Sequence, residues 1–293
     1  MVDYKRDKEE MMIELRGKAV ADVHKAALQD KLQTLATQGI TLKMAVLLVG
    51  GDHGAKMYAA FMEKTARAAG LDFVRVELPE MATHDEVAAA MQALNDDDSV
   101  NGILPLLPMP KQVKSATILE LMDPTKDIDG LTMYNAGLLV SGKGGFPPCT
   151  AKACMAILEH YNIPIQGKHV VVLGRSQVIG KPIALMTLAE NGTVTICHSK
   201  TPNLESFVKQ GDIIIAAVGR AHMITGDMLK PGAVVLDVGI NELDGKTVGD
   251  VDYDSAVDVA GAITPVPGGV GSVTTTMMLE AVYEAYHARN VNR

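Results

Sequence analysis

Residues 168–182 combine a strand-like run with two glycines, a pattern that could bind a phosphate group. The apolar run Val170–Leu173 is followed by Gly174 and then by Gly180. This pattern predicts a buried strand, a tight turn and a closely packed helix, since glycine permits both the turn and the close approach. The amino end of such a helix offers free N–H groups and a positive dipole end. Because Ser176 replaces the second glycine of the usual G-x-G-x-x-G pattern, an ordinary α/β turn is the alternative.

Two acidic side chains mark a second candidate site. Asp127 and Asp129 stand beside a glycine in the stretch 123–150, which is rich in Gly and Pro and is predicted to be mainly irregular. Such a stretch is typical of a domain junction, and carboxylates there suggest a binding site. A solvated turn is the alternative. Cys149, at the end of the same stretch, could be a nucleophile, but a small packed thiol is the preferred interpretation.

Alternating strands and helices are predicted to position these residues. The first half has strands at 44–49, 73–78 and 101–107, with a capping box, Thr83 to Glu86, before one helix. The second half has strands at 169–173, 193–197, 212–218, 233–238 and 259–263. This alternation predicts an α/β fold with parallel sheets. A terminal helix from Thr274 would return to the first domain, which predicts one domain at 1–147 plus 274–293 and another at 148–273.

Composition limits the classes of partner. Hydrophobic residues make up 47% and charged residues 21%, as in globular proteins, and the net charge of −8 argues against nucleic acid or an anionic membrane as the main partner. The charged N-terminus lacks the apolar core of a signal peptide. Three cysteines argue against a disulfide scaffold and for a reducing, cytoplasmic location, and their spacing suggests no metal site.

The strand ends of the second half indicate which cofactor is bound. An NAD site usually has an acidic residue after the second strand, but here that position reads Cys197-His-Ser-Lys200. Arg175 lies on the glycine turn, and a guanidinium favours a 2′-phosphate, so the sequence predicts NADP, with NAD possible. His198 and Lys200 could instead be merely exposed. The predicted cofactor-binding residues are Gly174, Arg175, Ser176, Ile179, His198, Ser199, Val218, Gly219 and Ile240.

Seven segments give the chain a family resemblance that runs from about residue 13 to 286. They are Asp127-Ile-Asp-Gly130, Asn135-Ala-Gly137, Pro148-Cys-Thr150, Val172-Leu-Gly-Arg-Ser176, Thr195-Ile-Cys-His-Ser199, Asp237-Val-Gly-Ile-Asn241 and Ile263-Thr-Pro-Val-Pro-Gly-Gly-Val-Gly271. On these segments the chain resembles the bifunctional methylenetetrahydrofolate dehydrogenase/cyclohydrolase family of one-carbon metabolism.

The resemblance implies a fold and a reaction. The fold is a folate-binding catalytic domain and a Rossmann-type NAD(P)-binding domain with a cleft between them, in a homodimer. The family moves hydride from 5,10-methylenetetrahydrofolate to NADP and then hydrolyses the methenyl product to 10-formyltetrahydrofolate. By resemblance, Asp129 hydrogen-bonds the pterin and Tyr58 flanks the folate, and these two are the predicted catalytic residues. The full predicted substrate-binding set is Tyr58, Leu106, Asp129, Pro267, Gly268, Gly269 and Val270.

The chain departs from the family pattern at a pair of positions. The family has a catalytic Lys four residues after the Tyr, where this chain has Met62, and a Gln that helps to orient that Lys, where this chain has Leu106. Lys64 and Lys56 lie at the wrong helical spacing to replace the missing Lys. The chain is therefore expected to be a divergent member. General acid–base help is worth about 10²–10⁴-fold, so weak or absent cyclohydrolase activity is expected, whereas hydride transfer needs mainly positioning.

Three other functions stay open on the sequence. The chain could be fully bifunctional with a differently placed base, such as Lys64. It could be an inactive, cofactor-binding paralogue with a regulatory or partner role. It could also be a dehydrogenase for a different pterin or one-carbon substrate, since Met62 and Leu106 suit a less polar reacting centre.

Overall fold

The computed structural model describes residues 12–51 and 53–291, which form two compact units. The three-stranded unit contains residues 21–152 and 274–291, and the six-stranded unit contains residues 12–20 and 153–273. The boundary between the units falls inside three helices, which are α1 (Gly17–Thr37), α6 (Cys149–His160) and α10 (Val270–Val291).

The three-stranded unit is built on a parallel sheet in the order β3-β2-β4. Its strands are β2 (Lys43–Val49), β3 (Asp72–Leu78) and β4 (Val100–Pro105). Its own helices are α2 (His53–Ala68), α3 (His84–Asp96), α4 (Ser115–Leu121) and α5 (Met133–Ser141). The central strand β2 is buried along nearly its whole length, as its continuous apolar run predicts. The predicted capping box is confirmed at the start of α3, where Thr83 and Glu86 cap each other.

The six-stranded unit is built on a parallel sheet in the order β1-β11-β8-β7-β5-β6. Its strands are β1 (Ile13–Glu14), β5 (His169–Leu173), β6 (Thr193–Cys197), β7 (Ile213–Ala216), β8 (Val234–Asp237) and β11 (Ala262–Ile263). The remaining elements are α7 (Gly180–Ala189), α8 (Leu204–Val208), α9 (Tyr253–Ala256), a 3₁₀ turn (Gly226–Met228) and the antiparallel pair β9 (Asn241–Leu243) and β10 (Lys246–Val248). The predicted α/β fold with parallel sheets is confirmed.

Several features differ from the sequence predictions. The terminal helix begins at Val270 and not at Thr274, and the unit boundary falls after Lys152 and not after residue 147. Residues 12–20 belong to the six-stranded unit and not to the first domain, because β1 pairs in parallel with β11. The stretch predicted to be mainly irregular contains α5, which Thr132 caps at its start and Gly142 ends in a left-handed conformation. The pair β9 and β10 was absent from the prediction.

The structure leaves one sequence prediction outside its range. The prediction that the charged N-terminus is not a signal peptide falls on residues that precede the described ones. Among the residues that the structure describes, no helix has the length and apolar character that crossing a membrane requires.

Candidate functional site

The three-stranded unit brings Tyr58, Asp129 and Cys149 into one cluster. Asp129 Oδ1 accepts a hydrogen bond from the backbone N–H of Cys149 at 2.8 Å. The thiol of Cys149 is fully buried and donates to the carbonyl of Ile128 at 3.1 Å. The Tyr58 ring is partly exposed, while its hydroxyl donates to Met278 Sδ at 3.4 Å. Two residues that the sequence predicts for the substrate therefore lie together, on a helix and a turn of one unit.

Burial and mutual charge set the protonation of this cluster. Burial, reinforced by the charge of Asp127, raises the pKa of Asp129 to about 6 against the opposing effect of the Cys149 N–H. Burial first, and then the charges of Asp129 and Cys149, raise the pKa of Tyr58 to about 12. Burial and Asp129 also raise the pKa of the Cys149 thiol well above its ordinary value. At neutral pH the cluster is thus one carboxylate beside two protonated groups, which suits hydrogen bonding to polar N–H groups.

A protonated, buried thiol is a poor nucleophile, because the thiolate is the reactive form. Cys149 is therefore a packing residue and a weak hydrogen-bond donor here, as the preferred sequence interpretation has it. Cys154 and Cys197 are likewise free and buried.

Neighbouring residues of the chain hold the turn that carries Asp129. Lys126 is buried and its Nζ donates to three carbonyls at the end of α3, those of Leu94, Asn95 and Asp97, at 3.1, 2.6 and 2.8 Å. Asp127 is fully buried and accepts four hydrogen bonds from Leu131, Thr132 and Asn135. Asp127 is therefore a structural carboxylate, whereas Asp129 accepts one backbone hydrogen bond, from Cys149, and also interacts with the side chain of that residue.

Met62 faces inward on α2. Its side chain is fully buried, on the same helix face as the buried Ala59 and Ala66. The lysines that flank it along the sequence are exposed, and Lys56 lies 3.8 Å from Glu77. Neither lysine shares the inward face of Met62, in agreement with the helical spacing.

Leu106 follows β4 and is half-buried. Its backbone N–H donates to the carbonyl of Leu47 at 2.9 Å, which continues the pairing of β4 with β2. The structure therefore fixes Leu106 at the carboxyl end of a strand in the three-stranded sheet, the edge at which ligands of parallel α/β sheets bind.

In the six-stranded unit, the predicted cofactor-binding residues gather at one edge of the sheet. They follow the carboxyl ends of four adjacent strands in the order β8-β7-β5-β6. Ile240 follows β8, Val218 and Gly219 follow β7, Gly174 to Ile179 follow β5, and His198 and Ser199 follow β6. This is the edge at which open parallel sheets bind nucleotides.

The turn after β5 is built as its glycines predict. Gly174 adopts φ +126°, and a Cβ on Gly180 would lie 2.3 Å from the carbonyl oxygen of Gly174, so the helix start packs directly on the turn. The N–H groups at this helix start are predicted to be free to bind a phosphate. For two of them this prediction is wrong. Ser176 Oγ accepts from the N–H groups of Ile179 and Gly180 at 3.2 and 3.3 Å, because a serine hydroxyl can bond nearby backbone N–H groups in a turn.

The segment Pro267–Val270 leads into α10. Gly268 adopts φ +109°, and its carbonyl accepts from the N–H of Gly17 at 2.9 Å. Val270 is buried at the start of the helix. This segment belongs to the six-stranded unit, so the predicted substrate-binding residues are divided between the two units.

Sequence reasoning missed two buried carboxylates in the six-stranded unit. Asp250 is fully buried and Asp237 nearly so, and both accept hydrogen bonds from the backbone that follows β7 and β8. The sequence signal available was a nearby glycine, Gly239 two residues after Asp237 and Gly249 directly before Asp250, which predicts close backbone packing.

Two family models match most of the chain. Residues 15–129 match the tetrahydrofolate dehydrogenase/cyclohydrolase catalytic domain, and residues 148–290 match the NAD(P)-binding domain of the same family. A protein described as bifunctional protein FolD, from Desulforamulus reducens, is 46% identical over 268 residues, which cover 92% of this chain and 94% of that protein. A relative of the same description from Bacillus mycoides is 44% identical over 272 residues, or 92% and 95% of the two chains.

Solved structures agree with these matches. The bifunctional enzyme FolD of Campylobacter jejuni superimposes with a TM-score of 0.93 at 40% identity, over 95% of this chain and 99% of that one. The methylenetetrahydrofolate dehydrogenase-cyclohydrolase of Trypanosoma brucei, solved with NADP and an inhibitor, gives 0.90 at 32% identity, over 96% and 99%. Similarity of this extent in both sequence and fold places the chain in the tetrahydrofolate dehydrogenase/cyclohydrolase family.

Proposed function

We propose that this chain oxidises 5,10-methylenetetrahydrofolate to 5,10-methenyltetrahydrofolate and passes the hydride to NADP, as a step of one-carbon metabolism. The observation that carries the proposal is the carboxylate of Asp129, which is partly exposed, ionised at neutral pH and has two protonated groups beside it. Such a carboxylate matches the N–H donors of an amino-pyrimidine ring. Relatives described as dehydrogenase/cyclohydrolases match over more than nine-tenths of this chain, which supports the same chemistry.

The six-stranded unit fits NADP. The tight turn of Gly174 and Gly180 lets the backbone approach a diphosphate, and Arg175 on that turn is exposed. Ser199 and Lys200, after β6, are also exposed, and no acidic residue stands there to repel a 2′-phosphate. NADP when bound supplies the hydride acceptor, and this chain contributes binding and orientation.

On the three-stranded side, we propose that Asp129 orients the pterin and that Tyr58 flanks the reacting carbon. The raised pKa of Tyr58 keeps its hydroxyl protonated and neutral throughout the physiological range. A neutral phenol next to the reacting carbon donates a hydrogen bond without opposing the positive charge that develops on the methenyl product.

For hydrolysis of the methenyl product, the similarity to bifunctional relatives and the residues at the site point to different activities. Relatives at 44–46% identity carry the bifunctional description, and this supports the fully bifunctional enzyme better than a dehydrogenase alone. The opposing observation is local, because a fully buried Met62 offers no proton at the position where the family pattern has a lysine. The reduced cyclohydrolase is thus the second candidate, and it depends on residues 62 and 106.

One pair of assays separates the candidates. Purified protein receives methylenetetrahydrofolate with NADP or NAD, and reduced cofactor is followed; separately it receives methenyltetrahydrofolate, and the decay is compared with an enzyme-free control. Reduction of NADP is expected. Absence of reduction with retained NADP binding would identify the inactive paralogue instead.

The second assay decides the hydrolysis step. Decay no faster than the enzyme-free control identifies the dehydrogenase-only enzyme, and rapid decay identifies the bifunctional one. In the first case, the double change Met62→Lys and Leu106→Gln should raise hydrolysis by at least about 10²-fold, the lower end of general acid–base help. The matched control is Met62→Leu with Leu106→Met, which keeps both positions apolar. The cytoplasmic location and the homodimeric state remain predictions.

A further inference from the structure

Asp250 is a fully buried carboxylate whose partners are all N–H groups of the six-stranded unit. Its Oδ2 accepts from the backbone of Val218 and Gly219 at 2.6 and 3.0 Å. Its Oδ1 accepts from the backbone of Arg220 and from Asn241 Nδ2, both at 2.9 Å. One side chain therefore holds the segment after β7 and the segment after β8 together.

Asp237 extends this connection to a third strand. Its carboxylate accepts from the backbone N–H groups of Gly239, Asp250 and Val251 at 3.0, 3.0 and 2.9 Å. Its own N–H donates to Thr264 Oγ1 at 2.8 Å, directly after β11. Both carboxylates thus belong to one network at the carboxyl ends of β7, β8 and β11.

Two glycines leave the space that the network needs. A Cβ on Gly249 would lie 1.8 Å from Asp237 Oδ2, and a Cβ on Gly239 would lie 2.2 Å from Asp250 Cγ. Each carboxylate thus occupies the space of a side chain that its neighbouring glycine lacks. Neither glycine could be replaced without displacing a carboxylate.

The network is poorly explained as a device for stability. Burying two carboxylates close together is costly, and burial raises the pKa of Asp237 to about 6, which reports that cost. Of the two, Asp250 is fully buried, so it can influence a ligand only through the backbone that it holds. That backbone includes Val218 and Gly219, which the sequence predicts to bind the cofactor. After β8 the contact is with the side chain of Asn241, which follows the predicted Ile240.

The order of the strands indicates which half of the dinucleotide is affected. The glycine turn with Arg175 follows β5, and the other residues predicted to contact the 2′-phosphate, Ser199 and Lys200, follow its neighbour β6. The segments held by Asp250 follow β7 and β8 on the other side. A dinucleotide binds across such a sheet with its diphosphate at the glycine turn. The adenosine half then lies towards β6 and the nicotinamide half towards β7 and β8.

Resting on the proposed function, we infer that Asp250 is a positioning residue for the nicotinamide half of NADP, which it controls by fixing the backbone after β7 and the Asn241 side chain after β8. The substitution Asp250→Asn tests this, because an amide keeps the shape but can accept on one side only. The N–H groups of either Val218 and Gly219 or Arg220 then face an NH₂ group.

The experiment measures binding of two probes to the purified full-length chain by calorimetry. One probe is NADP⁺ and the other is 2′-phospho-ADP-ribose, the same nucleotide without its nicotinamide ring. For Asp250→Asn, we expect NADP⁺ binding to weaken about 10-fold and 2′-phospho-ADP-ribose binding to change less than about 2-fold, since one to two charge-assisted hydrogen bonds are lost on one side only.

Asp212→Asn is the matched control. Asp212 also accepts a backbone N–H, that of His169 at 2.9 Å, but it lies at the amino end of β7, at the opposite edge of the sheet. This variant should leave the affinity for both probes unchanged.

Three outcomes would overturn the inference. They are unchanged NADP⁺ binding in Asp250→Asn, equal weakening of both probes, and equal weakening in Asp212→Asn. If the wild-type chain binds neither probe, the proposed function itself fails, which distinguishes the two. Should Asp250→Asn not fold, Asn241→Ala removes a single contact to Asp250 and should weaken NADP⁺ binding about 3-fold while sparing the ring-less probe.

Discussion

The substitution Asp129→Asn should stabilise the protein at neutral pH while weakening its activity. Burial raises the pKa of Asp129 from 3.8 to about 6. Because the folded pKa lies above the unfolded one, the folded state binds the proton more tightly. The stability linked to this proton is fully present below pH 3.8 and is lost as the pH rises through about 6.

The shift sets the size of the effect. A difference of about two pKa units corresponds to about 3 kcal/mol of unfolding free energy that ionised Asp129 costs at neutral pH. An amide carries no charge and still accepts the N–H of Cys149 through its oxygen. The variant should therefore be more stable than the wild type by up to about 3 kcal/mol above pH 7, and about equal to it near pH 4.

Urea unfolding at about pH 4 and about pH 7.5 measures the stability difference between variant and wild type at each pH. Asp237, whose pKa is also about 6, is present in both proteins, so its contribution to the difference cancels. Asp127→Asn is the matched control. Asp127 accepts all four of its hydrogen bonds, so the NH₂ group of an asparagine would face another donor. The Asp127→Asn variant should therefore lose about 2–4 kcal/mol of unfolding free energy.

The same Asp129→Asn variant should lose about 10- to 100-fold in kcat/KM for methylenetetrahydrofolate, since a charge-assisted hydrogen bond to the pterin is replaced by a neutral one. A pH-independent stability difference between Asp129→Asn and the wild type would refute the linkage. Equal destabilisation by Asp129→Asn and Asp127→Asn would show that both carboxylates are structural.

Two further substitutions test how the sites are positioned. Gly180→Ala places a Cβ 2.3 Å from the carbonyl oxygen of Gly174, so α7 must shift, and calorimetry should show NADP⁺ binding weakened at least about 10-fold. Unchanged binding would show that the glycine turn does not take part in NADP⁺ binding. Lys126→Met removes three hydrogen bonds to the end of α3 and should lower the unfolding free energy in urea by about 2–4 kcal/mol. A loss below about 1 kcal/mol would mean that α3 needs no cation at its end.

The elements with a strong local pattern could be predicted from the sequence. Strands β5 and β6 have the predicted bounds. An apolar run and a glycine turn mark β5, and β6 starts after the helix that follows this turn. The two-residue strand β1 has too few residues for any periodicity, and its pairing with β11 depends on a contact across most of the chain.

Other elements were missed although signals were present. Asp244-Gly245 between β9 and β10 is the turn dipeptide that favours a two-residue hairpin, and both residues adopt positive φ. In α5, Thr132 and Gly142 are the expected cap residues, but the surrounding Gly and Pro outweighed them.

In the candidate sites, too, some residues could be placed from the sequence and others could not. Strand ends of a parallel sheet converge by topology, so the positions of Gly174, His198, Val218 and Ile240 could be predicted from strand order alone. The contacts of Asp250 could not, since its partners at 218–220 lie about 30 residues earlier and no local pattern joins them. The helical period predicts that Lys56 and Lys64 do not share the face of Met62, whereas the full burial of Met62 and its effect on hydrolysis are not revealed by spacing.

The turn that carries Asp129 shows why one carboxylate of a pair can be free for a ligand. Lys126 and Asp127 use all their hydrogen-bonding capacity to fix the backbone, and Ile128 is buried against Gly102, where a Cβ would lie 2.4 Å from its Cγ2. With three successive residues held by the protein, the direction of Asp129 is set before any substrate arrives. Its raised pKa is then the cost of holding a partly buried carboxylate with fewer hydrogen bonds than Asp127 has, a cost that an ordinary solvated turn would not bear. This cost is what separates a binding carboxylate from its structural neighbour, and it is the quantity that the Asp129→Asn and Asp127→Asn pair measures.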